Sequence, residues 1–190
     1  MQKLFLLLNP QNDHMEWGML PIEGMQGDLV QKWLEAAIKY PLTAVCFSSY
    51  PADHQRFAAN HLWRKPFDTI EIKEKKQILW PFYAIEGSFG AEPPSQIEKF
   101  PFSFSYSRGK YAEDEQRGVF DHLGQLQDYL KQSKIDQIIL CGLSTGRDFT
   151  DSLQVASTLG IDCQILTSLS RTLDQEEWKI LKKDYLKALI

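Results

Sequence analysis

Apolar positions along the chain recur at two spacings, and their alternation orders the sequence into strands and helices. Leu4-Phe5-Leu6-Leu7-Leu8 is a continuous apolar run between Lys3 and Asn9-Pro10. That is the length and pattern of a strand buried on both faces. From Asp28, the residues Leu29, Val30, Trp33, Leu34, Ala37 and Ile38 fall at helical spacing and give one face to bury. Residues 43–47 predict the next strand. Residues 50–98 show no sustained period, hold much of the Pro and Gly, and leave room for a small hairpin within residues 69–80. The pattern resumes with a strand over 102–106, a helix over 120–131 built on Phe120, Leu123, Leu126 and Leu130, and a buried strand over 135–141. A helix carrying Phe149, Leu153, Ala156 and Leu159 follows, with Gly160 where a left-handed C′ residue is wanted. After a strand over 161–166, Asp174 and Glu177 have the spacing of a capping box ahead of a last stripe of Trp178, Leu181, Tyr185 and Leu189.

Strands joined through helices pair in parallel and carry helices on both faces, so the expected class is α/β, a three-layer αβα arrangement around a mostly parallel sheet. Sites in such sheets lie at the carboxyl ends of the strands, here residues 9–13, 48–50, 107–110 and 142–148. With 190 residues and no repeat or linker, one domain over 1–190 is expected.

A net charge of -4 with Lys and Arg scattered along the chain argues against nucleic acid as a partner. The run at 4–8 is far short of the roughly 20 residues of a membrane span and lacks a cleavage site, so a soluble, cytoplasmic protein is expected. Cys46, Cys141 and Cys163 each sit in an apolar run without C-x-x-C spacing. They read as inert core thiols, Cys141 pointing into the sheet.

Several segments in the right order resemble the nicotinamidase branch of the isochorismatase-like cysteine hydrolases. Leu7-Leu8-Asn9-Pro10-Gln11-Asn12-Asp13-His14 is similar to that family's strand running into Asp-x-Gln-Asn-Asp-Phe. Pro51-Ala52-Asp53-His54, with Phe57-Ala58 and Asn60-His61, resembles its Asp-Trp-His-Pro loop and the residues after that loop. Lys65-Pro66-Phe67-Asp68-Thr69-Ile70, Gln77-Ile78-Leu79-Trp80-Pro81 and Gly87-Ser88-Phe89-Gly90-Ala91-Glu92 resemble the region around its Trp-Pro-Asp-His motif. Cys141-Gly142-Leu143-Ser144-Thr145 resembles the Gly-x-Ala-Thr lead into the catalytic turn. The resemblance implies the isochorismatase-like (Rossmann-like) hydrolase fold and a cis peptide at Leu143–Ser144. Members often form homodimers or higher homo-oligomers, a state the resemblance leaves open here.

The positions that carry the family's chemistry are substituted. The resemblance implies an Asp–Lys–Cys triad, whose Asp falls on Asn9 and whose Cys falls on Asp148. The Lys falls on Lys110, with Arg108 the other choice. A neutral amide cannot take up the nucleophile's proton, and a carboxylate is a poor nucleophile toward an amide. The implied metal ligands fall on Ser48, Tyr50, His54 and Tyr83, of which only His54 is an ordinary ligand type, so no cofactor and no divalent metal are expected. The stacking Phe and Trp fall on His14 and Ser49, and Arg147 replaces a residue often aromatic or apolar. Asn9, Asp13, His14, Tyr50, Tyr83, Lys110, Arg147 and Asp148, with Ser49 and Ser144 beside them, are the candidate pocket residues, the alternative being a polar network satisfied internally.

Two functions are compatible with these substitutions. One is a nicotinamidase-like protein without amidase activity that binds a small molecule or a partner. The other is a hydrolase rerouted through Asp148 and Lys110 onto an amide, ester or other activated substrate, with Asp148 as simple helix cap its structural alternative. Isochorismate hydrolysis is disfavoured, because that route leans on the Asp replaced by Asn9.

Overall fold

Leu4 to Leu8 are wholly buried, and their side chains alternate between two cores: Leu4, Leu6 and Leu8 face one, Phe5 and Leu7 the other. This is the two-sided burial that the apolar run predicts for a central strand. The computed structural model describes residues 2–25, 27–72, 75–111 and 118–190. In chain order the elements are β1 (Lys3–Leu8), α1 (Gly27–Ala37), β2 (Leu42–Ser48), β3 (Thr69–Ile72), β4 (Lys75–Ile78), α2 (Ser95–Glu98), β5 (Phe104–Arg108), α3 (Gln125–Gln132), β6 (Gln137–Ser144), α4 (Asp148–Thr158), β7 (Asp162–Thr172) and α5 (Gln175–Asp184).

β5-β2-β1-β6-β7 form one parallel sheet, and β3 and β4 pair separately as the expected antiparallel hairpin. Leu29, Val30 and Trp33 of α1 and Ile97 of α2 pack on one sheet face. Leu126 and Leu130 of α3, Phe149, Leu153 and Ala156 of α4, and Leu181 of α5 pack on the other. This is the three-layer α/β arrangement. The winding reverses at β1, whose neighbours are β2 and β6, so a crevice is expected where β1 and β6 end. A third apolar cluster of Leu20, Tyr50, Phe57, Trp80, Tyr83 and Ala84 covers those ends.

Some boundaries depart from periodicity. Gly124 takes a left-handed φ of 76° ahead of α3, so the helix starts at Gln125. Phe120 reaches the core from the preceding loop, while Leu123 is exposed. Ile38 and Leu159 lie just past their helices and are exposed rather than buried. Gly160 has the expected left-handed conformation. The Asp174 carboxylate caps α5 by accepting from the Glu176 amide, and Glu177 does not complete a capping box. The three cysteines are buried free thiols, which burial pushes up: Cys46 to about 11, Cys163 to about 12, Cys141 well above its ordinary range. Among the described residues no helix is long and apolar enough to cross a membrane.

Gly142 lets β6 pass close to β1. Its φ is +115°, and a Cβ there would lie 2.2 Å from the Leu8 carbonyl oxygen. Gly142→Ala is therefore expected to cost about 3 kcal/mol or more, read as a fall in the urea midpoint at unchanged m-value.

Candidate functional site

Asn9, Arg108 and Asp148 meet where β1, β5 and β6 end. Asn9 leaves β1 with φ +50°, a left-handed conformation that Asn tolerates better than most residues. Its Nδ2 donates to the Leu143 carbonyl at 3.0 Å, and its Oδ1 accepts from Ser48 Oγ at 2.9 Å and from Arg108 Nη2 at 3.4 Å. Tyr50 extends the chain of bonds by donating its hydroxyl to Ser48 Oγ. Arg108, the last residue of β5, is buried, donates Nη1 to the Gly118 carbonyl at 2.7 Å, and forms an ion pair with Asp148 Oδ1 at 2.8 Å. Lys110 is exposed, so the cation that joins Asn9 and Asp148 is Arg108, contrary to the expected placement of Lys110. The physical reason is strand length: β5 runs through Arg108, and the turn at Gly109, with φ +82°, carries Lys110 outward.

Asp148 is wholly buried at the start of α4. Its Oδ2 accepts from the Thr145 amide at 2.9 Å and the Thr145 hydroxyl at 3.3 Å. Burial pushes this carboxyl up, but the Arg108 guanidinium and the Thr145 amide outweigh it and hold the group ionised, below the usual carboxylate range. Arg108 gains correspondingly: burial works against its charge, and Asp148 overcomes that.

Asp148 is not a simple cap of its own helix. The Asp148 amide donates to Ser144 Oγ at 3.1 Å, and the Phe149 and Thr150 amides donate to Glu177 Oε1 at 2.9 and 3.1 Å. Glu177 Oε2 accepts from Ser144 Oγ and Thr172 Oγ1 at 2.6 and 2.9 Å. Burial raises the Glu177 carboxyl to about 7, the charge on Asp148 adds to this, and the hydrogen bonds from Ser144, Thr150 and Thr172 oppose it. This carboxylate from α5 was hidden in the sequence by its apparent capping-box spacing.

His14, Tyr50, His54 and Tyr83 are all buried in an aromatic cluster, with Tyr50 against both His54 and Tyr83. His14 Nδ1 donates to the Leu20 carbonyl at 3.2 Å, and its ring lies 5.5 Å from that of Tyr83. Burial lowers the His14 imidazole to about 4, although Asp13 and Asp148 favour its charge. Burial, then the Arg56 cation, lowers His54 to the same range. Tyr83 pairs its hydroxyl with Thr145 Oγ1 at 3.3 Å. Arg56, which no motif singles out, is buried among these rings.

The other expected pocket residues separate. Arg147 is exposed and Ser49 half-buried, outside the closed cluster. Asp13 is committed to structure, accepting from the Met19 and Ala84 amides at 3.2 and 2.7 Å. Cys141 faces the α1 core, as expected. The Leu143–Ser144 peptide is trans. Beside the cluster lies a recess of about 410 Å³ rimmed by Trp17, Met19, Phe82 and Phe89, with Asn12 and Asp13 among its lining.

No protein-family model matches the chain. It is 25% identical over 130 residues to a nicotinamidase of Acinetobacter baylyi, a match spanning 66% of this chain and only 61% of that protein. It is 24% identical over 175 residues to a nicotinamidase of Escherichia coli, covering 87% of this chain and 81% of that one. The fold is similar to that of the yeast nicotinamidase bound to the inhibitor nicotinaldehyde, with a TM-score of 0.86 at 20% identity over 100% of this chain and 99% of that chain. It is also similar to an isochorismatase-like hydrolase from Alkaliphilus metalliredigens, with a TM-score of 0.68 at 15% identity over 100% and 93% of the two chains.

Two outcomes are expected from the buried charges. Asp148→Ala leaves Arg108 without its carboxylate and should cost about 3–5 kcal/mol in urea unfolding, whereas Asp148→Leu combined with Arg108→Met should recover more than half of that loss. His14, neutral in the fold and lowered from 6.5 to about 4, takes up its proton first in the unfolded chain. Its contribution to stability is therefore present above pH 6.5 and lost as pH falls toward 4. His14→Phe removes this loss, so stability relative to wild type should shift in the variant's favour by up to about 3 kcal/mol across that window. Parallel urea titrations at stepped pH measure it.

Proposed function

The chain belongs to the isochorismatase-like superfamily, on its nicotinamidase branch, and from that premise we propose a member that has lost amidase activity and keeps its scaffold for binding. The observation that carries this reading is the internal commitment of the polar atoms at the substituted triad and the adjoining turn. Amide hydrolysis through a covalent intermediate needs an accessible nucleophile, a group to take its proton, and open N–H donors for the developing oxyanion. The buried Asp148 carboxylate is held by Arg108 and Thr145. The Asn9 amide is neutral and already donates to Leu143. The first amides of α4 are taken by Ser144 and Glu177. A rerouted hydrolase built on Asp148 and Lys110 is less well supported, because Lys110 lies exposed while Arg108 holds the carboxylate.

The binding role draws on the recess beside the cluster. Trp17, Met19 and Phe89 are each about two-thirds exposed and Phe82 is 42% exposed, so four large apolar side chains ring one cavity of about 410 Å³. That volume is in the range of small-molecule pockets, and the lining suits a compact, largely apolar ligand.

Ammonia release from nicotinamide tests the loss of activity. The expected result is no release above the blank, with or without added divalent metals. Metal-independent turnover that disappears in Asp148→Ala would sink the proposal. For the binding role, thermal shift against nicotinamide, nicotinate and related aromatic metabolites should show stabilisation that Trp17→Ala removes; no stabilisation by any of them counts against it.

A further inference from the structure

The positions that the family resemblance assigns to metal ligands surround a side chain of this protein. Arg56 is 2% exposed. Its guanidinium carbon lies 4.2 Å from the centroid of the Tyr50 ring and 5.1 Å from that of Tyr83, both within the roughly 6 Å over which a cation is attracted to an aromatic face. The two tyrosine rings meet edge to face at 5.5 Å, and the His54 ring stands 5.1 Å from Tyr50. The Arg56 backbone amide donates to His54 Nδ1 at 3.1 Å. One residue thus touches three of the four positions, Tyr50, His54 and Tyr83.

The donor set does not fit a divalent metal. Ser48 Oγ donates to Asn9, the Tyr50 hydroxyl donates to Ser48, and the Tyr83 hydroxyl is paired with Thr145. The remaining His54 nitrogen, Nε2, has no hydrogen-bond partner, and because Nδ1 accepts from the Arg56 amide it carries the proton of the neutral ring and offers no lone pair to a metal. Among the described residues no three His, Cys, Asp or Glu side chains gather to hold a metal ion. Phenol rings at 50 and 83 offer electron-rich faces in place of lone pairs aimed at a point. Such faces bind a flat, delocalised guanidinium and do little for a compact dication. A dication brought into this box would also meet the fixed positive charge of Arg56.

We propose that the Arg56 guanidinium is the resident cation of this site, a covalently tethered charge in place of a divalent metal. It ties the loop at 50–57 to Tyr83 on the segment that follows β4, and it does so at every pH the fold survives, because an arginine does not lose its proton. The protein then needs no metal supply to hold its aromatic cluster together. This inference is independent of whether any hydrolysis remains.

Three linked measurements on the full chain test it. Elemental analysis of purified wild-type protein should find divalent metal far below one ion per chain, and Tm should not move with EDTA or with added zinc, manganese or ferrous ion. Arg56→Met keeps the aliphatic stem of the side chain but removes the guanidinium and should lower Tm by roughly 5–10 °C, with Arg56→Lys falling between it and wild type. Arg56→Ala should regain part of its Tm with ethylguanidinium, but not with the neutral isostere ethylurea, and wild type should respond to neither. About one metal ion per chain in wild type, a Tm lowered by chelator, or an Arg56→Met variant as stable as wild type would overturn the proposal. If the Arg56 variants do not fold, metal content and chelator response of the wild type still decide it.

Discussion

A guanidinium and a carboxylate, both removed from solvent, meet at 2.8 Å where the sheet ends. In such surroundings an unmatched charge costs several kcal/mol, so each of the pair's remaining polar atoms constrains the chain around it. Arg108 draws in the Gly118 carbonyl and the Asn9 side chain. Asp148 draws the Thr145 amide and hydroxyl back onto itself and so shapes the turn between β6 and α4. Three exits from the sheet are thereby fixed relative to one another. The amide at position 9 belongs to this arrangement. A carboxylate there would face the Leu143 carbonyl without a proton to donate and would crowd a second anion onto one guanidinium.

The first turn of α4 extends the same logic. Amide groups at a helix N-terminus attract negative charge, and in an open site that attraction is available to a ligand. Here Glu177 supplies the acceptor oxygens from α5, and Ser144 links it back to the Asp148 amide. The carboxylate therefore acts at once as a cap for α4 and as a clasp between α4, α5 and the end of β7 through Thr172. Its identity as a cap is set by tertiary distance and not by position within its own helix.

This contrast explains which features were readable in the chain. The parallel sheet, the helical faces and the convergence of Asn9, Ser48 and Asp148 follow from apolar periodicity and from the rule that strand ends gather at a switch point. Asp174 and Glu177 show where such reading stops: a three-residue spacing fits a local capping box, while the side chain bonds to residues 28 and 33 positions away. Lys110 and Arg108 differ by two residues, and only the end point of β5 decides which is buried. Arg56 carries no motif, because its partners are ring faces brought together by folding. Local spacing predicts contacts within a turn of helix or strand, and charge partners across the fold lie beyond it.

Closure of the cluster and the identity of the residues at positions 9 and 148 are two descriptions of one physical situation. Carbonyls, amides and side chains converge at the carboxyl ends of β1 and β6 in this fold whatever the residues there do, and buried polar atoms must find partners. An open site leaves that requirement to solvent and substrate. With a neutral amide at 9 and a carboxylate at 148, the same atoms are satisfied from within: Leu143 and Ser48 for the amide, Arg108 and Thr145 for the carboxylate, Ser144 and Glu177 for the helix amides. Opening the site would require breaking several of these bonds together, since the Ser144 side chain serves two partners and that of Asn9 three. A cysteine introduced at position 148 would therefore place its thiol in a network still organised around a buried cation, with a neutral amide at position 9.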